Sequence, residues 1–198
     1  MFTYYNYTIV IVLSPYGSNK AIHPCPSSVL LLYNNYMDKN AKTIIIYYSA
    51  QGHTKDIATK IANNLGADIF EIEPVQPYTE DDLSWFNSDS RVFREHSEEN
   101  LQNVELKNVS VPNWDAYDRV IIGYPIWWGV SAWPVDSFVK KTDFNGKTVI
   151  PFCTSHSSEL GASDENLKSK ATSGNWQPGF RFFQDATDAD IENWIKSL

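Results

Sequence analysis

From Lys42 onward the chain alternates unbroken apolar runs with segments whose apolar positions recur every three or four residues. Thr43-Ile-Ile-Ile-Tyr-Tyr48 is β-branched and aromatic throughout, the pattern of a strand covered on both faces. Ile57, Ala58, Ile61, Ala62 and Leu65 then make one helical stripe, and Gly66 supplies its stop. Asp68-Ile-Phe-Glu-Ile72 alternates, as a strand near a sheet edge does. Val120–Tyr124 and Thr148–Cys153 read as two more buried strands. Between them, Pro134–Lys141 reads as a helix with proline in its first turn. Phe180–Phe183 is a weaker fifth strand, and Ile191, Trp194, Ile195 and Leu198 mark a last helix behind a Thr187/Asp188 cap. The stretch from Val75 to Asn113 exceeds what a crossover requires. Within it, Glu80–His96 is expected to be helical and to expose Arg91 and Arg94, with the remainder an excursion beside the site.

Strands separated by helices imply right-handed crossovers and a parallel sheet with helices on both faces. Five strands suit a doubly wound α/β fold of order 2-1-3-4-5, whose ligand lies beyond the carboxyl ends of the strands. Several chemistries are excluded by what those ends lack. No G-x-G-x-x-G follows the first strand, and neither G-x-x-x-x-G-K-[ST] nor G-x-S-x-G occurs. A receiver domain wants an aspartate at a central strand end, where this chain has Ser49, Tyr124 and Cys153-Thr154.

Composition narrows the class further. The 198 residues carry 16 Lys plus Arg against 24 Asp plus Glu, a net charge of −8, which disfavours a nucleic-acid partner. Two cysteines, Cys25 and Cys153, make neither a disulfide framework nor a cysteine zinc site. No apolar run approaches the ~20 residues of a bilayer span, so the expectation is a soluble, cytoplasmic protein. The charge is uneven. Residues 1–36 contain only Lys20, whereas residues 37–198 hold 15 basic and all 24 acidic side chains. No Lys or Arg precedes the apolar stretch at Thr8, against a secretory signal, and Pro15, Gly17, Pro24 and Pro26 break regular structure. Residues 1–36 are therefore expected to be an extension and residues 37–198 the domain, the alternative being an N-terminal arm packed on it.

Three strand-end loops carry the candidate chemistry. Ser49-Ala50-Gln51-Gly52-His53-Thr54 joins a buried strand to a helix N-terminus, where backbone N–H groups and the helix dipole suit a phosphate. The plain alternative is a turn capped by Thr54. Pro125-Ile126-Trp127-Trp128-Gly129 leads on to Trp133, which is expected to pack under the excursion; Trp127 and Trp128 offer rings for a flat aromatic ligand. Thr154-Ser155-His156-Ser157, running on to Gly161, can direct polar groups at a ring edge. Phosphate, ring and edge contacts together describe a site for FMN. Cys153 reads as a buried strand residue and His156 as a hydrogen-bonded loop histidine.

At these loops the sequence resembles the flavodoxin family, over residues 42–198. Tyr-Tyr-Ser-Ala-Gln-Gly-His-Thr54 is similar to its phosphate loop, and Gly123-Tyr-Pro-Ile-Trp-Trp-Gly129 to the version found in short flavodoxin-like proteins. The resemblance implies that Ser49, Gln51, Gly52, His53 and Thr54 hold the FMN phosphate. It also implies that Trp127, Trp128 and Gly129 lie against the isoalloxazine, with Thr154, Ser155 and His156 at its other edge. Ala50, Pro125, Ile126, Ser157 and Gly161 complete the expected cofactor-binding set. Three positions depart from the family pattern. His53 replaces an asparagine, Val130 stands where many members carry an acid, and His156 and Ser157 replace third-loop glycines. The missing acid weakens any expectation of a very low potential. The implied function is electron transfer through FMN to partner proteins with basic docking patches. The alternative is reduction of a quinone-type substrate with NAD(P)H.

Overall fold

The apolar run beginning at Thr43 forms strand β1 (Thr43–Tyr47), an interior strand of a parallel sheet in the computed structural model, which describes residues 41–198. Its side chains divide by alternation. Ile44, Ile46 and Tyr48 enter one core with Val120 and Ile122, while Ile45 and Tyr47 enter the other with Ile121 and Phe152. That is why no polar residue interrupts the run: both faces are covered. On one side β1 pairs with the edge strand β2 (Asp68–Glu71), and on the other with β3 (Arg119–Trp127), which pairs in turn with β5 (Thr148–Ser155).

Beyond β5 the fifth strand position is shared by two pieces. β6 (Asn175–Trp176) pairs with Thr148 and Val149, and β7 (Phe180–Phe183) pairs with Phe152 through Ser155. The break falls at Pro178-Gly179, where proline has no N–H for the ladder and the Gly179 N–H donates instead to Asp164 Oδ2 at 2.7 Å. The order is thus the anticipated 2-1-3-4-5, with the last position split. A two-residue strand, β4 (Val130–Ser131), folds back antiparallel on the end of β3.

Helix α1 (His53–Leu65) packs against the C-terminal α5 (Asp188–Ile195) over one face of the sheet. Helices α3 (Trp133–Lys141) and α4 (Ser163–Lys168) contribute Val135, Phe138, Val139 and Leu167 to the core on the other. Gly123 in β3 sits beneath the Phe152 ring, and a Cβ there would lie 2.2 Å from Phe152 Cζ. The ring occupies the volume a side chain would have used.

The excursion departs from expectation. Its helix α2 covers only Arg91–Ser97, and residues 79–90 are turns. Ser84, Asn87, Ser88, Asp89 and Ser90 follow one another closely there, and such side chains compete with helical hydrogen bonding. Asp82 instead accepts from Thr79 N and Oγ1, each at 2.9 Å, and Ser90 caps α2 by accepting from Phe93 N. Arg91 is not an exposed cation. Its Nε donates to Glu95 Oε1 at 2.7 Å, its Nη1 to Gln76 O at 2.8 Å, and its guanidinium lies over Tyr78. Arg94 is exposed as expected. The expectation for residues 1–36 lies outside the described residues. Among those described, no helix is long and apolar enough to cross a membrane.

Candidate functional site

The first loop turns from β1 into α1 through Gly52, whose φ of 94° is a left-handed value suited to glycine. Gly52, not Thr54, is the N-cap, and no side chain caps the helix. Its N-terminal turn therefore keeps the donors and the positive dipole end that an anion would use. Gly52 N donates to Ser49 Oγ at 3.0 Å, which tightens the loop. Thr54 turns inward, 1% exposed, and its hydroxyl is 2.8 Å from the Thr154 hydroxyl at the end of β5. One hydrogen bond thus joins the first loop to the third.

The second loop is a two-residue hairpin. Trp127 pairs with Val130, and the two residues between them, Trp128 and Gly129, have φ of 48° and 81°. Positive φ at both positions is the type I′ geometry that matches strand twist. Glycine accepts it freely, whereas a tryptophan in the left-handed region costs ~1–2 kcal/mol. Ring packing offsets that strain. Trp128 stacks on His96 with centroids 4.4 Å apart and planes 6° from parallel, and it also lies near-parallel to Trp133 at 6.5 Å. Trp127 meets Tyr48, Tyr78 and Trp133 edge-on. Trp127 is thereby half-buried without a ligand, whereas Trp128 stays 37% exposed, and both face the site. Trp133 is buried as expected, at the start of α3.

Two polar clusters brace this loop. Tyr78 donates to Glu95 Oε2 at 2.6 Å, and Glu95 also holds Arg91, so the excursion presses Tyr78 onto Trp127. Burial, and then the Glu95 carboxylate, push the Tyr78 phenol well above its ordinary range. Below the hairpin, the buried Asp136 carboxylate accepts from Ser131 and pairs with Lys170, tying β4 to α3 and to the chain after α4. Burial raises the Asp136 carboxyl despite that ammonium.

The third loop leaves β5 at the buried Thr154. Ser155 Oγ donates to Ser158 O and accepts from Arg181 Nε at 3.0 Å. His156 is exposed, with Nδ1 3.0 Å from Gln184 Nε2. Cys153 is fully buried, and burial pushes its thiol up to about 12.

These segments enclose a cavity of about 490 Å³ at the carboxyl ends of β1, β3 and β5. Ser49, Ala50, Gln51, His53, Thr54, Pro125, Ile126, Trp127, Trp128, Thr154, Ser155, His156 and Ser157 all line it. Gly52, Gly129 and Gly161 do not; each is a positive-φ turn residue that shapes a loop. Sequence reasoning missed Leu83, Trp85, Val92, Ser158 and Gln184. Gln184 follows the end of β7, where the carboxyl-end rule could have found it. Nothing in the sequence signals that Leu83, Trp85 and Val92 fold back from the excursion. The wall is polar with an uncapped helix end at one side and aromatic at the other. That donor set fits a planar ring joined to a phosphate.

The family model described as Flavodoxin matches residues 42–198. No curated protein matched the chain. Among solved structures, a candidate flavoprotein from Bacteroides eggerthii is 35% identical with a TM-score of 0.72, covering 80% of this chain and 98% of its own. One from Bacteroides uniformis is 33% identical with a TM-score of 0.73, covering 79% and 98%. A Lactobacillus acidophilus flavoprotein in complex with FMN, 24% identical with a TM-score of 0.54, shares the fold over 78% of this chain and 99% of its own. Strand order, switch-point cavity and family match agree over the same residues, and the chain belongs to the flavodoxin family.

Proposed function

We propose that the protein binds one FMN in this cavity and works as an electron-transfer flavoprotein. The observation that carries the reading is the single cavity that joins an uncapped α1 N-terminus to a tryptophan hairpin and a polar third loop. The phosphate belongs at His53 and Thr54, where the helix supplies N–H donors and Ser49 and Gln51 add polar groups. The isoalloxazine belongs at the aromatic end, beside Trp127 and Trp128, with Thr154 to Ser157 at its edge. When bound, FMN supplies one- and two-electron chemistry; the protein positions the ring and limits water around it. A net charge of −8 favours encounter with basic partner surfaces, an effect that salt weakens.

Denaturing the purified protein should release FMN, identified by mass. The holoprotein should show negligible steady-state turnover with NADH or NADPH plus a quinone. It should pass electrons rapidly to a basic acceptor such as cytochrome c, with a rate that falls as salt rises. Rapid turnover of one nicotinamide with the quinone would replace the carrier reading by the reductase one. Recovery of FAD, or a colourless protein indifferent to added FMN, would overturn the cofactor assignment.

A further inference from the structure

We propose that Arg181 tunes the electron affinity of the site by holding an unneutralised positive charge behind the third loop; this rests on the FMN reading above. β7 is in register with β5, so that Arg181 lies opposite Cys153 and Phe183 opposite Ser155. The guanidinium donates through Nε to Ser155 Oγ at 3.0 Å and lies over the Phe183 ring at 3.4 Å. Its Nη2 is buried and has no hydrogen-bond partner. Among the described residues no carboxylate pairs with it. The Asp164 carboxylate nearby is occupied by Gly179 N at 2.7 Å and Glu165 N at 2.9 Å, and Glu159 is exposed.

Arg181 is half-buried with one nitrogen dry and unbonded, so water screens its charge only in part, and a partly screened cation beside a cavity acts on any charge formed there. Ser155 lines the cavity, so the guanidinium stands one hydrogen bond behind its wall. Adding two electrons from an external donor and one proton from solvent to a flavin leaves one negative charge on the ring. A fixed cation near that charge favours the reduced ring over the neutral oxidised one. The second loop adds no opposing field, because Val130 brings no carboxylate to it. The cation therefore pushes the potential upward, and the second loop does not counter it.

The test compares affinities for oxidised FMN and for dithionite-reduced FMN in the wild type, Arg181→Gln and Arg181→Lys, with folding checked by circular dichroism. The wild type should bind reduced FMN no more weakly than oxidised FMN, a result that needs no variant. Arg181→Gln should weaken reduced FMN about tenfold more than oxidised, a fall of about 30 mV in the two-electron potential. Arg181→Lys, which keeps the charge and loses the planar Nε contact, should stay within about threefold of wild type. Reduced FMN binding tenfold more weakly than oxidised in the wild type would overturn the proposal. So would equal losses in the Gln and Lys variants, which would mark Arg181 as a structural support for Ser155. A wild type that takes up no FMN in either state would overturn the cofactor reading, and this one with it.

Discussion

The hydroxyls of Thr54 and Thr154 lie 2.8 Å apart, joining the first turn of α1 to the end of β5 across 100 residues of sequence. Both side chains are buried, so each is the other's protein partner and neither is free to turn to bulk water. The contact fixes the spacing between the polar end of the cavity and its third loop.

Thr54→Ala should therefore do two things. It removes a cavity-lining hydroxyl and leaves Thr154 unpaired, which costs about 1–3 kcal/mol when the group stays dry. FMN affinity should fall about tenfold, with riboflavin, which lacks the phosphate, affected less. Isothermal titration of both ligands checks this. Thr54→Val with Thr154→Val should destabilise by less than the two single changes added together, because the pair is lost only once.

Two glycines should fail differently. At Gly123 an added Cβ meets Phe152 Cζ at 2.2 Å, so Gly123→Ala should cost about 2 kcal/mol or more by overpacking. A compensating Phe152→Leu should recover part of that loss. At Gly129 nothing lies within 4 Å, but φ is 81°, so Gly129→Ala should cost about 1 kcal/mol through the backbone alone. Phe152→Leu should not rescue it. Urea unfolding of the four proteins separates the cases.

The buried Cys153 gives an alkaline limb to stability. Burial raises its thiol from 9.0 to about 12, so the native chain keeps a proton there that the unfolded chain gives up. The unfolded state then binds fewer protons, and this contribution falls as pH rises above about 9. In a Cys25→Ser background, Cys153 should react with a thiol reagent at pH 8 only on unfolding, and Cys153→Ala should flatten the alkaline limb.

On the acid side, Thr187 and Asp190 form a capping box at α5. Thr187 Oγ1 and the Thr187 N–H both donate to Asp190 Oδ2, at 2.6 and 2.9 Å, holding the carboxyl below its ordinary 3.8. A depressed carboxyl adds stability above its unfolded value and loses it as pH falls through the folded one. Thr187→Ala should cost about 1 kcal/mol at neutral pH, and less in acid once the Asp190 carboxylate is protonated. Thermal melts between pH 2 and 7 read both effects.

The strands and the strand order were legible because unbroken apolar runs have few other interpretations once helical stripes separate them. β1, β3 and β5 appear where Thr43, Val120 and Thr148 begin such runs, and the Trp133–Lys141 helix carries Pro134 in its first turn. The three loops were legible from strand ends alone, and the residues expected on their walls mostly face one cavity. What stayed hidden depends on contacts distant in sequence. Trp85 and Leu83 reach the cavity only because Tyr78, Arg91 and Glu95 knit the excursion together, and no local pattern encodes that network. The break between β6 and β7 follows from Asp164 drawing off the Gly179 N–H. Arg181 pairs with Ser155, 26 residues away, and no local pattern encodes that contact.

The cavity wall is assembled from stretches running from Ser49 to Gln184. No part of the chain contains the site by itself, so it comes into being only when β7 has docked on β5 and the excursion has closed over β3. Contacts of such long sequence separation form late, after the entropy of closing the intervening chain has been met. The pocket is therefore a late product of folding. A ligand that recognises only the finished wall has little to hold in earlier species. It should slow unfolding while leaving the refolding rate nearly unchanged.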